Sequence, residues 1–169
     1  MNNSSVAEEI WLSYADRVLA YARRRVGRAH AEDVVAEVFV IVLRRPSAVP
    51  AQPLPWLYAT ARHVIANLHR SEGRSIEFRQ QLPSTSQPDP AAIAGANLAA
   101  HVALSSLSPL EREALQLMAW EGLSRHEAAR AAGCSRATFA VRLHRARARF
   151  RQELLGTTHS VLDREGGSQ

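Results

Sequence analysis

The sequence predicts an all-α protein of two small helical domains joined by a flexible linker. Apolar residues recur at helical spacing in both halves of the chain, and residues 71–96 break this periodicity with serines, prolines and glycines. With 169 residues, 46% of them hydrophobic, the chain can form two small cores. We assign residues 5–72 to the first domain, 73–96 to the linker, 97–153 to the second domain and 154–169 to a disordered tail.

The first helix is expected to begin at Ser5 and to end at Gly27. Ser5 and Glu8 have the S-x-x-E spacing of a capping box, in which the serine hydroxyl and the glutamate carboxylate satisfy each other's backbone N–H groups. Gly27 ends the pattern. The face of this helix consists of Ile10, Tyr14, Val18, Tyr21 and Arg25.

A second segment runs from Ala31 to Arg45, where Pro46 stops it. Its many β-branched residues would also suit a strand, but its acidic residues cluster on a helix and alternate poorly in a strand. We therefore expect a helix that is buried on most sides. The apolar residues are Val34, Val35, Val38, Phe39, Ile41 and Val42, and the acidic residues are Glu32, Asp33 and Glu37.

A proline-rich loop leads to a third helix, expected over residues 56–70. Its apolar face holds Leu57, Ala61, Val64, Ile65 and Leu68, and its other face shows Arg62, His63, Asn67 and Arg70. Trp56 and Tyr58 beside Arg62 would suit a platform for unstacked bases. Burial of Trp56 in the core is the commoner use of a tryptophan at a helix start.

The region from Ser108 to Arg149 has the pattern of a helix-turn-helix. Ser124 and Glu127 form a capping box, Gly133 supplies the tight turn, and Ser135 can cap the next helix. That helix has an apolar face of Phe139, Leu143, Ala146 and Phe150, and an opposite face of Arg136, Ala140, His144, Arg147 and Arg151. Eight arginines against one acid from residue 125 to 151 predict DNA binding.

The composition fits a cytoplasmic protein with a polyanionic partner. The net charge is +5, and all 21 basic residues are arginine. The lone Cys134 excludes an intramolecular disulfide and is interpreted as turn packing. The N-terminus does not have the pattern of a signal peptide, and no stretch is apolar enough to insert in a membrane.

The histidines and carboxylates do not form a recognisable catalytic or metal-binding pattern. His30 and Asp33 share a helix face with Glu32 nearby, but no third ligand or glycine-rich phosphate loop accompanies them. We therefore predict no enzyme activity, no cofactor and no metal. The remaining histidines that we considered, His101, His126 and His159, are interpreted as surface residues.

Residues 8–151 together resemble the extracytoplasmic-function (ECF) sigma factors, the two-domain specificity subunits of bacterial RNA polymerase. AEDVVAEVF resembles the region 2.2 helix, PWLYATARHVIANLHR the region 2.3 to 2.4 helix, and LSPLEREALQL through HRARARF the region 4 bundle. The order of these motifs around a linker is more specific than any one of them.

This resemblance implies partners and site residues for both domains. Core polymerase would bind through the β′ clamp helices to Asp33, Glu37 and Phe39, and the β flap would be a further contact. The melted −10 strand would be held by Trp56, Arg62, His63, Asn67 and Arg70. The −35 duplex would be read by Arg136, Ala140, Val141, His144 and Arg145, with phosphate contacts from Thr138 and Arg142. An anti-sigma factor is a further expected partner, and the linker would permit the compact state it holds.

The chain departs from the family pattern at several of these positions. Ala36 replaces a usual Gln, His63 a usual Asn, and Asn67 a frequent acid. In the recognition helix Ala140 and Val141 replace polar reading residues, although an apolar side chain can contact a thymine methyl. An unusual −35 preference is therefore expected, with base-edge hydrogen bonds from Arg136, His144 and Arg145.

A stand-alone regulator is the main alternative. In that case the helix-turn-helix would bind a palindromic duplex as a dimer, and residues 1–70 would form a dimerisation or sensor module. This alternative does not account for Asp33 and Glu37 on a largely buried helix that precedes a basic one.

Overall fold

The computed structural model describes residues 3–76 and 98–165, with side chains over 5–71 and 100–155. Within these ranges the chain forms α-helices and one short 3-10 turn, Pro46–Ala48, and the all-α prediction is confirmed. The chain divides between Pro88 and Asp89 into two compact units. The helices are α1 (Asn3–Arg44), α2 (Leu54–Ile76), α3 (Leu98–Ser105), α4 (Pro109–Ala119), α5 (Arg125–Ala131) and α6 (Arg136–Glu165).

Helix α1 joins the two segments that the sequence predicts as separate helices. It begins at Asn3, so Ser5 lies inside the helix and does not start it. Gly27 interrupts the helix with φ 72° and ψ −177°, a conformation that residues with a Cβ rarely adopt. The chain therefore kinks at Gly27, the residue where the first helix was expected to end. The second segment ends at Arg44, directly before the 3-10 turn.

The core of the first unit lies between α1 and α2. Tyr21 and Tyr58 stack at its centre, with ring centroids 4.7 Å apart and an interplanar angle of 17°. The guanidinium carbon of Arg25 lies 3.5 Å from the Tyr21 ring centroid, so Arg25 belongs to the helix face expected from the sequence. The valine-rich segment of α1 buries one broad face, whereas Val40 and Leu43 are exposed. The segment is therefore less buried than the sequence predicts.

Helix α2 is longer than expected at both ends. It starts at Leu54, before Trp56, and continues past Arg70 to Ile76. The helix thus continues over residues 73–76, the first four of the assigned linker, and the domain boundary itself stays a prediction. A glycine inside a helix costs only about 1 kcal/mol relative to alanine, and no proline occurs between Pro55 and Pro83. The rest of the assigned linker lies outside the described residues.

The second unit packs α3, α4 and α5 against α6. Phe139, Leu143 and Ala146 of α6 are buried, as the sequence pattern predicts. Arg112 on α4 closes the end of α3, because its Nε donates to the carbonyl of Leu104 at 2.8 Å and its Nη2 to that of Ser105 at 2.9 Å. These bonds satisfy carbonyls that a helix end leaves unpaired.

Helix α6 extends well beyond the recognition segment. It runs to Glu165, whereas a disordered tail was expected from residue 154. No proline interrupts residues 154–165, and each added residue gains a backbone hydrogen bond once a helix is nucleated. Residues 166–169 of the expected tail lie outside the described residues. Among the described helices, none combines the length and apolar character needed to cross a membrane.

Candidate nucleic-acid interfaces

The helix-turn-helix is built from α5, a glycine turn and α6. Ser124 caps α5: its Oγ accepts from the backbone N–H of Glu127 at 3.3 Å, and its own N–H donates to Glu127 Oε2 at 2.8 Å. Hydrogen bonds from Ser124 lower the pKa of Glu127, more than partial burial raises it. The predicted capping box is confirmed, and it fixes where α5 begins.

The turn places the start of α6 next to the end of α5. Gly133 has φ 63°, the left-handed conformation expected for it. The amide of Cys134 donates to the carbonyl of Ala129 at 3.1 Å, and the half-buried Cys134 is part of the turn. Ser135 then caps α6, since its Oγ accepts from the amide of Thr138 at 3.1 Å.

Small residues allow the two helices to pack closely. Ala128, Ala129, Ala131 and Ala132 are all buried on the α5 side of the contact. The buried apolar stripe of α6 faces the core of this unit, and the exposed residues of the helix lie outside that stripe.

The predicted −35 residues all lie on α6 outside its buried apolar stripe. Arg142 is half-buried and the others are exposed, with Val141 half exposed at 50%. A shallow surface depression is lined by Ala137, Thr138, Val141, Arg142 and Arg145. The apolar and cationic side chains are thus presented side by side, as contact with a thymine methyl and with phosphates or base edges would require. The seven residues are Arg136, Thr138, Ala140, Val141, Arg142, His144 and Arg145.

Arg136 has a partner that is not evident from the sequence pattern. Its Nε donates to Nδ1 of His126 on α5 at 2.9 Å, and its Nη2 lies 3.4 Å from Nε2 of the same ring. His126 is exposed, as expected, but it is more than a solvated surface residue. Ten positions separate the two residues in sequence, and they meet only because the turn brings α5 and α6 together.

The predicted −10 residues lie on α2. Trp56 and Arg62 are half-buried, and His63, Asn67 and Arg70 are exposed. Trp56, His63, Asn67 and Arg70 share one helix face, because their spacing is seven, four and three residues. Arg70 donates from Nη2 to Oδ1 of Asn67. Within the described residues the buried Nε of Arg62 makes no hydrogen bond.

Tyr58 does not join this surface. It is 1% exposed and stacks on Tyr21, so the proposed base platform of Trp56 and Tyr58 is wrong for Tyr58. Trp56 remains accessible in part, and it is the aromatic group of that pair that can still stack on a base.

The residues expected to bind polymerase divide into two groups. Asp33 and Glu37 are exposed on α1 and line a groove together with Asn67 and Ser71 of α2. Phe39 is only 5% exposed and packs edge-on against Trp11, with ring centroids 4.5 Å apart, so its ring offers little surface to a partner and its polymerase contact stays a prediction. It supports the helix from inside because its ring fills the space beneath the exposed Trp11.

Two further charged groups shape the second unit. Glu111 is 7% exposed and forms a capping box with Ser108 at the start of α4, a local S-x-x-E signal that the sequence analysis passed over. Its carboxylate also pairs with Arg149 of α6.

Among the described side chains, no three histidines, cysteines or carboxylates come close enough to hold a metal ion.

Comparison with known proteins assigns both units. The family model described as Sigma-70 region 2 matches residues 10–75, and the model described as Sigma-70, region 4 matches residues 97–150. The matched ranges correspond to the α1–α2 unit and to the unit that contains the helix-turn-helix.

Individual relatives agree with these matches. The chain is 33% identical over 159 residues to the ECF RNA polymerase sigma factor SigE of Mycolicibacterium smegmatis, which covers 87% of this chain and 61% of the relative. It is 31% identical over 155 residues to the ECF RNA polymerase sigma factor SigD of Mycobacterium tuberculosis, covering 82% of this chain and 72% of the relative.

A solved structure shows the same fold. The sigma factor RpoE of Bartonella quintana, crystallised in complex with the anti-sigma factor NepR, superposes with a TM-score of 0.71 at 26% identity, covering 88% of this chain and 96% of that one. This structure, the two region matches and the SigD relative all indicate the same family. The chain belongs to the family of ECF RNA polymerase sigma factors.

Proposed function

We propose that this protein is a dissociable promoter-specificity subunit that binds core RNA polymerase, recognises the −35 and −10 elements and promotes DNA opening. The observation that carries the proposal is the presence, in one chain, of a region 2 unit with an acidic groove and a region 4 unit with a cationic recognition helix. A subunit of this kind performs no bond chemistry itself. It acts where its template DNA lies, in the cytoplasm.

The −35 duplex is assigned to α6. Recognition helices of helix-turn-helix proteins enter the major groove and contact base edges through their N-terminal residues. Arg136, His144 and Arg145 are exposed there and carry donors for base edges, and Ala140 and Val141 offer apolar contact. Thr138 and Arg142 would contact phosphates, because Thr138 lies in the first turn of α6 and Arg142 lies beside it in the surface depression.

The opened −10 strand is assigned to α2. Trp56 offers a partly accessible ring for base stacking, and Arg62 and Arg70 supply cations for the backbone. His63 and Asn67 supply hydrogen-bonding groups on the same side of the helix as Trp56. Capture of the separated strand offsets part of the cost of unstacking the duplex.

Polymerase docking is assigned to the acidic groove of the first unit. Asp33 and Glu37 line it together with Val34, Val64 and Leu68, so it suits a partner surface that combines cations with an apolar side chain. The β′ clamp helices are the proposed partner. The β flap is a second proposed contact of polymerase, without residues assigned to it.

An anti-sigma factor is the remaining proposed partner. The Bartonella quintana sigma factor that shares this fold was solved with one. By likeness, we propose that this protein is also held inactive by such a partner.

A binding experiment tests this function against a stand-alone regulator. The unlabelled protein would be titrated by calorimetry with core RNA polymerase and, separately, with promoter and palindromic duplexes. Tight binding to the polymerase, with specific DNA binding only in its presence, supports the proposal. Absence of polymerase binding together with tight dimeric binding to a palindrome would replace it with the regulator.

A further inference from the structure

We propose that His126 is a specificity-determining residue that positions Arg136 to read a guanine in the −35 element, an inference that rests on the proposed function. Arg136 occupies the first position of α6, where a recognition helix meets base edges. His126 lies in the first turn of α5 and contacts Arg136 across the turn. The histidine therefore acts through the arginine and not by its own contact with a base.

The hydrogen bond from Arg136 determines which ring nitrogen of His126 accepts. A guanidinium nitrogen only donates, so Nδ1 of His126, at 2.9 Å from Nε of Arg136, must accept. In a neutral imidazole the other nitrogen then carries the hydrogen, and the 3.4 Å approach of Nε2 to Arg136 Nη2 sets two donors side by side. One strong bond, through Nε, thus holds the guanidinium.

This bond leaves the end of the guanidinium available. Among the described residues, Nη1 of Arg136 has no partner, and Nη2 has none that accepts. These two nitrogens together can donate to O6 and N7 of one guanine in the major groove. Arginine has many rotamers, so binding a base normally costs side-chain conformational entropy. A hydrogen bond that already orients Nε reduces this entropy loss when the two donors bind the base.

The surroundings of the pair do not offer Arg136 another anchor. Glu127, the acid beside His126, is held by its capping box with Ser124. Thr138, two residues further along α6, is paired with Ser135, its Oγ1 lying 2.8 Å from that residue's Oγ. Among the described residues, His126 is thus the side chain that holds Arg136 by a hydrogen bond.

The test uses holoenzyme formed from core polymerase and the full chain. Transcripts would be sequenced from a pool of promoter fragments with randomised −35 positions, for the wild type, His126→Ala, Arg136→Ala and the double variant. His126→Ala should lower the preference for guanine at one position by about threefold to tenfold, and it should have no effect on that preference in the Arg136→Ala background. His126→Gln, whose side-chain oxygen can accept from Nε, should restore part of the preference.

Arg125→Ala is the matched control. It removes an exposed residue of α5 next to His126 and should weaken use of all promoters without changing the base preference. His126 is exposed and alanine favours helices, so the variants should fold, which circular dichroism would check.

The outcomes separate the two levels of the proposal. A wild-type holoenzyme that selects sequences, with His126→Ala retaining the same guanine preference or losing all promoters uniformly, overturns the role of His126 and leaves the proposed function intact. A wild-type protein that directs no initiation overturns both.

Discussion

Arg149 of α6 donates a hydrogen bond from Nη1 to Oε2 of Glu111 at the start of α4, across 3.1 Å. The same carboxylate oxygen accepts from the amide of Ser108 at 3.2 Å and from its hydroxyl at 2.8 Å. The cap of one helix is thereby joined to the helix that carries the recognition residues. The capping residue Glu111 therefore also stabilises the packing of α6 in the second unit.

Loss of the Ser108 cap should destabilise the second unit. Ser108→Ala removes the hydroxyl that serves the first turn of α4 and one partner of Glu111, and caps of this kind contribute about 1 kcal/mol. Hydrogen exchange of α4 and α6 should become faster. Ser105→Ala is the matched control, because its hydroxyl only bonds back to Val102 of its own helix. Equal exchange in both variants would contradict the role of the cap.

Acid should weaken the second unit through its two capping glutamates. Hydrogen bonds from Ser108 lower the pKa of Glu111, helped by Arg149 and opposed by burial, and hydrogen bonds from Ser124 lower that of Glu127. A carboxyl whose pKa is lower in the folded state stabilises the fold above its ordinary value of 4.5, and this contribution is lost as the pH falls through the folded value.

Hydrogen exchange of the second unit as a function of pH measures this effect. After correction for the intrinsic pH dependence of exchange, the wild type should lose protection below about pH 4.5, and a Glu111→Gln, Glu127→Gln variant should lose less over the same range. Parallel curves for the two proteins would show that these carboxyls do not stabilise the unit.

Charge at the acidic groove should matter for polymerase binding. Asp33→Asn should raise the Kd for core polymerase about twofold to fivefold, more at low salt, because it removes one exposed charge from the proposed docking surface. Asp16→Asn changes the same kind of exposed residue elsewhere on α1 and should leave the Kd unchanged. Equal affinity for Asp33→Asn and the wild type would remove Asp33 from the docking surface.

One arginine should determine one base pair of the −35 element. Arg145→Ala should cost about 1 to 3 kcal/mol of discrimination at a single position, measured by competition between promoter variants bound to holoenzyme. Arg147→Ala, an exposed neighbour on α6 outside the proposed contacts, is the control. A uniform loss across all positions would make Arg145 a phosphate contact instead.

Trp56 should act in opening and not in duplex binding. Trp56→Ala should weaken capture of the melted strand by about 1 to 3 kcal/mol, the range for one base stacked on an aromatic side chain. Permanganate reactivity of −10 thymines would report opening, and protection of the −35 duplex would report binding. Loss of both to the same extent would point to a structural role for the half-buried ring.

Local signals in the sequence predicted the helix-turn-helix well, because a capping box or a glycine turn is specified within a few residues. Ser124 with Glu127, Gly133 and Ser135 all occupy the positions expected of them. His126 was missed as a partner of Arg136, since that contact exists only once the turn has brought α5 and α6 together.

Assignments that depended on which side of a helix is buried were less secure. Tyr58 was expected to be accessible, and the family resemblance assigned Phe39 to a polymerase contact. Each ring packs against an aromatic residue distant in sequence, Tyr21 and Trp11 respectively. Helical spacing gives the angle between residues and not the identity of the packing partner. The same limit explains why Glu111 and Arg149 were not paired.

Mapping transcript starts with core RNA polymerase, in the presence and absence of this protein, tests the central claim most directly. A pool of promoter fragments should yield starts that depend on the protein and share paired −35 and −10 elements. Identical starts with and without the protein, under conditions where the protein is folded and the polymerase is active, would contradict the claim that it is a promoter-specificity subunit.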